Sequence, residues 1–369
     1  MKIINGMVFG KDCKFTRRDV PIHGQQFAER STDGLVYDAE GCYVVPGFVD
    51  IHTHGAMNYD FSDGNPEALE KISHFFATKG TTGFLATTMT LPEEVLTKAA
   101  TTAGNFVPKD DQSTCLGIHL EGPFVCAAKK GAQAEEFLAK PDVAMFMRLQ
   151  EASGDMVKLI TMAPEVEGGM EFIEGVKDFC TVSLGHTAAN YDTAFEAMEC
   201  GVTHCTHMFN AMNSLHHRDP AVIGAAFDHE ATAELICDGI HIHPSVIRMS
   251  HKMFGQRLVL VSDSLRCTGM PDGDYTLGGQ PVIMKGGKCF LHDGTLAGSS
   301  ICLHDSVLRS TGFGIPLEDV IYAATYAPAK AVRMEDVAGV IAPGRLADCV
   351  ILNSDLSIKQ VFLRGKPVL

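Results

Sequence analysis

Eight short apolar runs, alternating with stretches of helix-forming composition, constrain this chain more than any other feature. The runs cover residues 44–51, 83–88, 115–120, 157–162, 181–185, 203–208, 233–237 and 258–262. Between them lie segments such as 66–79, 92–104, 171–179, 191–200 and 244–254, several of which start after Pro or Asn and end near Gly. Strand and helix in alternation is the pattern of a parallel α/β fold. Eight such units predict a TIM-type (β/α)8 barrel. An open, doubly wound sheet is the alternative that the same pattern allows.

The two ends read differently. Lys2-Ile3-Ile4-Asn5-Gly6 and Met7-Val8-Phe9-Gly10-Lys11 are strand–turn sequences, as are Asp348-Cys349-Val350-Ile351-Leu352-Asn353 and 358–365. Neither end has enough apolar residues for its own core. They are therefore predicted to pair into one small β-sandwich domain, residues 1–43 plus 344–369, with the barrel (44–343) inserted between them.

Composition narrows the function. Thirty basic against 45 acidic residues give a net charge of −15, which argues against a nucleic-acid or anionic-membrane binder. A small anionic ligand stays open, because a few local cations can offset the global field. No apolar run approaches the ~20 residues of a membrane span. The 12 cysteines contain no Cys-x-x-Cys pair, and no secretory signal is visible at the N-terminus. Free thiols in a reducing cytoplasm are the expectation.

If the fold is a barrel, its chemistry belongs at the C-terminal ends of the strands. Six of these ends carry metal-competent side chains: His52-Thr53-His54, His119-Leu120-Glu121, Gly185-His186-Thr187, His204-Cys205-Thr206-His207, Asp238-Gly239-Ile240-His241 and Ser262-Asp263-Ser264. Alternate residues of a strand share a face, so His52 and His54 project together and can bind one divalent ion. A single His at a strand end is more often structural, and Asp263-Ser264 could cap a helix. Six coincidences at one barrel mouth favour a metal site.

Taken in order, these motifs resemble the amidohydrolase superfamily and, within it, the N-acetylglucosamine-6-phosphate deacetylases. His119-Leu120-Glu121-Gly122-Pro123-Phe124 and Thr206-His207-Met208-Phe209-Asn210-Ala211-Met212 discriminate best; His-x-His alone is common to relatives with other substrates. The resemblance implies hydrolysis of the acetamide of N-acetyl-D-glucosamine 6-phosphate to D-glucosamine 6-phosphate and acetate, in a cytoplasmic homodimer serving amino-sugar use and cell-wall recycling.

It also implies roles. Glu121, His186 and His207 match the main metal site, and a fourth position is left for water. Asp263 matches the carboxylate that takes the water's proton and delivers it to the departing nitrogen. His52 and His54 imply a second ion bridged by Glu121; some relatives lack these histidines and use one metal. Zinc is expected, with iron or manganese compatible with the same ligands. His241 matches a donor to the carbonyl oxygen. Asn210 and Ala211 match positions near the phosphate. Arg218 matches a phosphate-binding arginine that some relatives supply from the neighbouring subunit; read from its loop alone it is a solvated charge. Ala132 matches a substrate-lining backbone position and Leu296 an apolar wall against the acetyl methyl. His119 is expected to support Glu121, and His243 to be structural. The competing readings are another amidohydrolase, such as a deaminase or cyclic-amide hydrolase, and a non-catalytic barrel with a degraded catalytic position.

Overall fold

The computed structural model describes residues 1–31 and 34–369. Its centre is an eight-stranded sheet: β1 (Phe48–Asp50), β2 (Thr81–Thr88), β3 (Thr114–Glu121), β4 (Val157–Met162), β5 (Thr181–Leu184), β6 (His204–Cys205), β7 (Thr232–Ile236) and β8 (Leu258–Val261). Each strand pairs in parallel with the next. Among the described residues β1 and β8 share no ladder. The seam closes instead by Asp263 N–H donating to His52 O (2.8 Å) and His54 N–H to Ser264 O (2.8 Å). The buried Asp50 carboxylate adds to it, accepting from Ser262 N–H at 3.2 Å. Burial lifts that carboxyl to about 7. The barrel is thus nearly closed, as the eightfold alternation predicts.

Helices cover the outside. In α1 (Pro66–Thr78) the Asn65 side chain accepts from Glu67 N–H, Pro66 opens the first turn, and Leu69, Ile72 and Phe76 are buried. In α2 (Pro244–Phe254) the cap is His243, whose Nδ1 accepts from Ser245 N–H at 3.1 Å. That places His243 in a helix end, the structural position expected for it.

The barrel interior changes character along its axis. Val49, Leu85, Leu159, Val259 and Val261 form an apolar floor with Ala327, Ala329 and Val332. Two residues on from Leu85 and Leu159, on the same strand faces, stand Thr87 and Thr161, and Asp263 follows just past the end of β8. The upper interior is a hydrogen-bonded layer: His119 Nε2 meets Thr161 Oγ1 (2.7 Å), Thr161 Oγ1 meets Thr206 Oγ1 (2.7 Å), and Ser183 Oγ meets Thr206 Oγ1 (2.6 Å). Buried hydroxyls are tolerated there because each finds a partner.

The chain ends form two sheets around a shared apolar core of Ile3, Val8, Val20, Ile22, Val44, Ile351 and Phe362. One has four strands and the other six. Strand Tyr43–Pro46 pairs in parallel with Met7–Phe9 and antiparallel with Cys349–Leu352, joining the two termini. This corrects one expectation: the run 44–51 is two strands, not one. The chain changes sheets at Gly47, where a Cβ would sit 1.9 Å from Thr82 Oγ1.

A three-stranded antiparallel sheet, Gly273–Leu277, Gln280–Lys285 and Lys288–Leu291, follows β8 and was not anticipated. Its two turns are Gly278-Gly279 and Gly286-Gly287, all at positive φ (54°, 84°, 58° and 73°), as two-residue hairpins require. Among the described residues no helix is long and apolar enough to cross a membrane.

Candidate metal centre and active site

Strand ends β3, β5 and β6 bring Glu121, His186 and His207 together. Glu121 Oε1 lies 3.1 Å from His186 Nε2 and 3.0 Å from His207 Nε2, and the two nitrogens are 3.1 Å apart. Three ligand atoms of a tetrahedral zinc, at about 2.0–2.1 Å from the ion, stand about 3.4 Å from one another. The triangle therefore has the size that one small divalent ion needs. His186 Nδ1–H donates to Lys129 O at 3.0 Å, which leaves the Nε2 lone pair facing the triangle.

A second group shares Glu121. His52 Nε2 is 3.3 Å from Glu121 Oε1, and His54 Nε2 is 3.4 Å from Glu121 Oε2. Asp263 Oδ1 faces both histidines, at 3.6 Å and 3.3 Å. His52 Nε2 is a buried ring nitrogen with no hydrogen-bond partner, aimed at carboxylate oxygens. Such an orphaned atom fits a ligand that awaits a cation. The two sets, Glu121–His186–His207 and His52–His54–Glu121, each have the compactness of a metal site.

Electrostatics supports the same reading. Glu121, Asp263 and Glu234 are all buried carboxylates. Burial alone would raise Glu121, but His52 and His186 hold it well below its ordinary range. Burial disfavours a charged His54 ring, yet Asp263 and Glu121 bring it up to about 9. Burial likewise opposes charge on His52, and Glu234, Asp263 and Glu121 raise it well above its usual value. Three interior carboxylates demand positive charge, which protons supply or a divalent cation displaces.

The backbone is held in an unusual state at the same points. His186 (φ 49°), His207 (φ 28°) and Asp263 (φ 50°) all lie in the left-handed region. Each such conformation costs roughly 1–3 kcal/mol in a non-glycine residue. Ala211 (φ 50°) shares it, so four of the residues singled out from sequence carry this conformation, as functional sites tend to.

A cavity of about 350 Å³ opens above the ligands. Ala132, Asn210, Ala211, His241 and Leu296 all line it, beside His54, Glu121, His186, His207 and Asp263. His241 is fixed by Asp238: its Nδ1–H donates to Oδ2 at 2.7 Å, while Oδ1 accepts from the N–H groups of Ile240 and His241 (2.8 Å each). Burial disfavours its charge, but this carboxylate raises its pKa overall. The other nitrogen, Nε2, points to Ala297 O at 3.1 Å on the cavity wall.

Arg218 is elsewhere. It is exposed, with Nη1 donating to His217 Nε2 at 2.7 Å, in a separate cleft with Tyr191, Asp219 and Asp228. Within one chain Arg218 is not among the residues that line the cavity; it sits in the turn bridged by His216 and Asp219. Among the described residues no Lys or Arg lines the cavity.

Two further residues escaped the reading of the sequence. Gln133 Nε2–H donates to Glu121 Oε2 at 2.6 Å, and its Oε1 accepts from Thr90 N–H at 2.7 Å. It orients the shared carboxylate. Glu234, fully buried in β7, accepts from His52 Nδ1–H at 2.8 Å. The signal for Glu234 was a lone charge inside the apolar run 233–237. Gln133 sits in a polar loop and offered none. His119 braces a different ligand from the one expected: it stands edge-on to His52, with ring centroids 4.6 Å apart, and bonds Thr161 rather than Glu121.

Residues 43–368 match the model of the Amidohydrolase family. The N-acetylglucosamine-6-phosphate deacetylase of Bacillus subtilis (strain 168) is 36% identical over 330 residues, covering 87% of this chain and 83% of that protein. The deacetylase of the same name from Lysinibacillus sphaericus is 34% identical, covering 97% and 92%. Among solved structures, a mutant N-acetyl-D-glucosamine-6-phosphate deacetylase from Mycobacterium smegmatis, in complex with N-acetyl-D-glucosamine 6-phosphate, superposes with a TM-score of 0.93. It is 27% identical and covers 100% of this chain and 99% of its own.

Proposed function

As the chain belongs to the amidohydrolase family, we propose that it hydrolyses the acetamide of N-acetyl-D-glucosamine 6-phosphate to D-glucosamine 6-phosphate and acetate. The observation that carries this reading is the convergence of Glu121, His186, His207, Asp263 and His241 on one cavity. Relatives whose matches cover 87% and 97% of the chain bear that activity in their names.

Glu121, His186 and His207 would hold one divalent ion, and His52, His54 and Glu121 a second; zinc suits both donor sets. When bound, such an ion polarises the acetyl carbonyl and lowers the pKa of the attacking water. Asp263 takes the water's proton on Oδ1 and hands it to the sugar nitrogen as the C–N bond breaks. Amine expulsion needs that protonation, so one carboxylate serves both half-steps. His241, held by Asp238, donates from Nε2 to the developing oxyanion. Leu296 walls the acetyl methyl, and Ala132, Asn210 and Ala211 meet the sugar phosphate.

Among the described residues the cavity of a single chain offers a phosphate no Lys or Arg. Arg218 of a neighbouring copy, placed over the cavity in a homodimer, would supply a two-oxygen grip. The terminal sheets, residues 1–43 and 344–369 with the remainder of strand Tyr43–Pro46, form the small domain in this reading, and the cytoplasm is the compartment that suits an enzyme with this substrate.

Acetate release from N-acetylglucosamine 6-phosphate and from N-acetylglucosamine tests the proposal. The phosphorylated sugar should turn over with at least ~10-fold higher kcat/KM, the worth of one good charge-assisted hydrogen bond. Equal or better turnover of the unphosphorylated sugar would refute the substrate assignment.

A further inference from the structure

Glu234 is the buried carboxylate at the barrel mouth that the proposed chemistry leaves unused. It is 0% exposed in the middle of β7. Its Oε2 accepts from His52 Nδ1–H at 2.8 Å and from the backbone N–H of His207 at 3.0 Å. Its Oε1 accepts from His204 Nε2–H at 3.0 Å, and His204 Nδ1 meets Thr232 Oγ1 at 2.6 Å. One carboxylate therefore touches a histidine of the deeper cradle and the backbone of a histidine of the other.

A buried charge is expensive unless its partners repay it. An apolar residue would fill β7 as well, as Leu235 and Ile236 do beside it. What the charge adds is control over His52. With Nδ1–H bound to Glu234, the His52 lone pair stays on Nε2, which has no hydrogen-bond partner and lies 3.3 Å from Glu121 Oε1. The edge of His119, at 83° to the ring, blocks rotation out of that plane. A carboxylate on the far nitrogen also makes the near one more basic and a better ligand.

We propose that Glu234 is a positioning residue whose negative charge makes His52 a ligand of the second divalent ion. This rests on the two-ion reading above. The group that takes the ion is the His52–His54–Glu121 set, and the ion class is a small divalent cation with affinity for imidazole.

Glu234→Gln isolates the charge. Its amide oxygen can replace Oε2 and keep both bonds, to His52 and to His207 N–H. Its NH2 can replace Oε1 and donate to His204 Nε2, with His204 then donating from Nδ1 to Thr232 Oγ1. Every hydrogen bond survives and only the charge is lost. The protein is stripped with a chelator and titrated with zinc against a chromophoric competitor, ions are counted by elemental analysis, and Tm is recorded for each stripped protein.

The wild type should bind two ions. Glu234→Gln should keep the tighter one and its Tm, and bind the second roughly 10–100-fold more weakly, as loss of an outer carboxylate does elsewhere. Two ions bound with unchanged affinity would overturn the role. So would equal weakening of both with a lowered Tm, since the charge would then serve the fold. A wild type that saturates with one ion would instead sink the two-ion reading itself.

Discussion

The two cradles share one carboxylate but differ in depth. Glu121, His186 and His207 all face the cavity, within reach of a substrate. His52 is 0% exposed and does not face it; only its partner His54 does. The open cradle is braced by loops: Lys129 O holds His186, and Gln133 holds Glu121. The deep cradle is braced by the barrel itself, through Glu234 of β7 and His119 of β3. Depth separates the tasks. The outer ion would meet carbonyl and water; the inner one would set the charge around Glu121 and Asp263.

Removing what the cradles share should have the largest effect. Glu121→Ala deletes a ligand of both, so both ions should be lost and kcat should fall by about a thousandfold or more, several kcal/mol of charge stabilisation. Elemental analysis with initial rates checks this; an active variant holding two ions contradicts it. Asp263→Asn should leave an ion in the open cradle and lower kcat by roughly 10²–10⁴, the range for a lost general acid–base. Full activity would refute the proton shuttle.

Displacing Asp263 should do less than removing its charge. At Gly298 a Cβ would lie 2.7 Å from Asp263 O and 2.8 Å from its Oδ1. Gly298→Ala should push the carboxylate off the His52–His54 pair and lower kcat by about 10²-fold, as misplacement by ~1 Å can, with little change in KM. Arg218→Ala touches neither cradle. It should raise KM for the phosphorylated sugar by roughly 10-fold, the worth of a charge-assisted hydrogen bond, and leave kcat alone. Unchanged kinetics would remove Arg218 from the site.

The smallest effect on catalysis should come from the terminal sheets. Asp348 is half-buried there, and desolvation raises its carboxyl to about 6 although Arg364 N–H bonds it at 2.6 Å. A carboxyl raised above its unfolded pKa of about 3.9 makes the native state bind more protons. Stability should therefore fall as pH rises between those two values and then level off. Asp348→Asn should flatten that slope and gain about 2–3 kcal/mol at pH 7, with activity unchanged. Chemical denaturation at pH 4.5 and 7 reads it; a slope that persists in the variant assigns the effect elsewhere.

The barrel was legible because its strands are continuous apolar runs: seven of the eight appear within a few residues of where composition puts them, as 157–162 and 258–261 illustrate. The run 44–51 was misread as one strand because nothing in a propensity says that Gly47 must pass against Thr82. The sheet Gly273–Leu291 carries a signal, its paired Gly-Gly turns, that a search for parallel strands overlooks. At the mouth, residues in motifs were visible, and the cavity gathers every residue given a metal, catalytic or substrate role except Arg218 and the submerged His52. Glu234 and Gln133 act through hydrogen bonds across 182 and 12 residues of chain, to His52 and Glu121. Such partners are set by tertiary packing: the lone charge in the run 233–237 marks Glu234 as unusual without naming its partner, and Gln133 leaves no local pattern at all.

Anomalous diffraction at the zinc edge, from crystals of zinc-loaded protein, tests the contrast between the cradles most directly. Two peaks are expected. The outer should lie about 2.0–2.2 Å from Glu121, His186 and His207, and the inner at the same distance from His52, His54 and Glu121. A peak absent from the outer cradle, or ions bound away from both, would contradict the account.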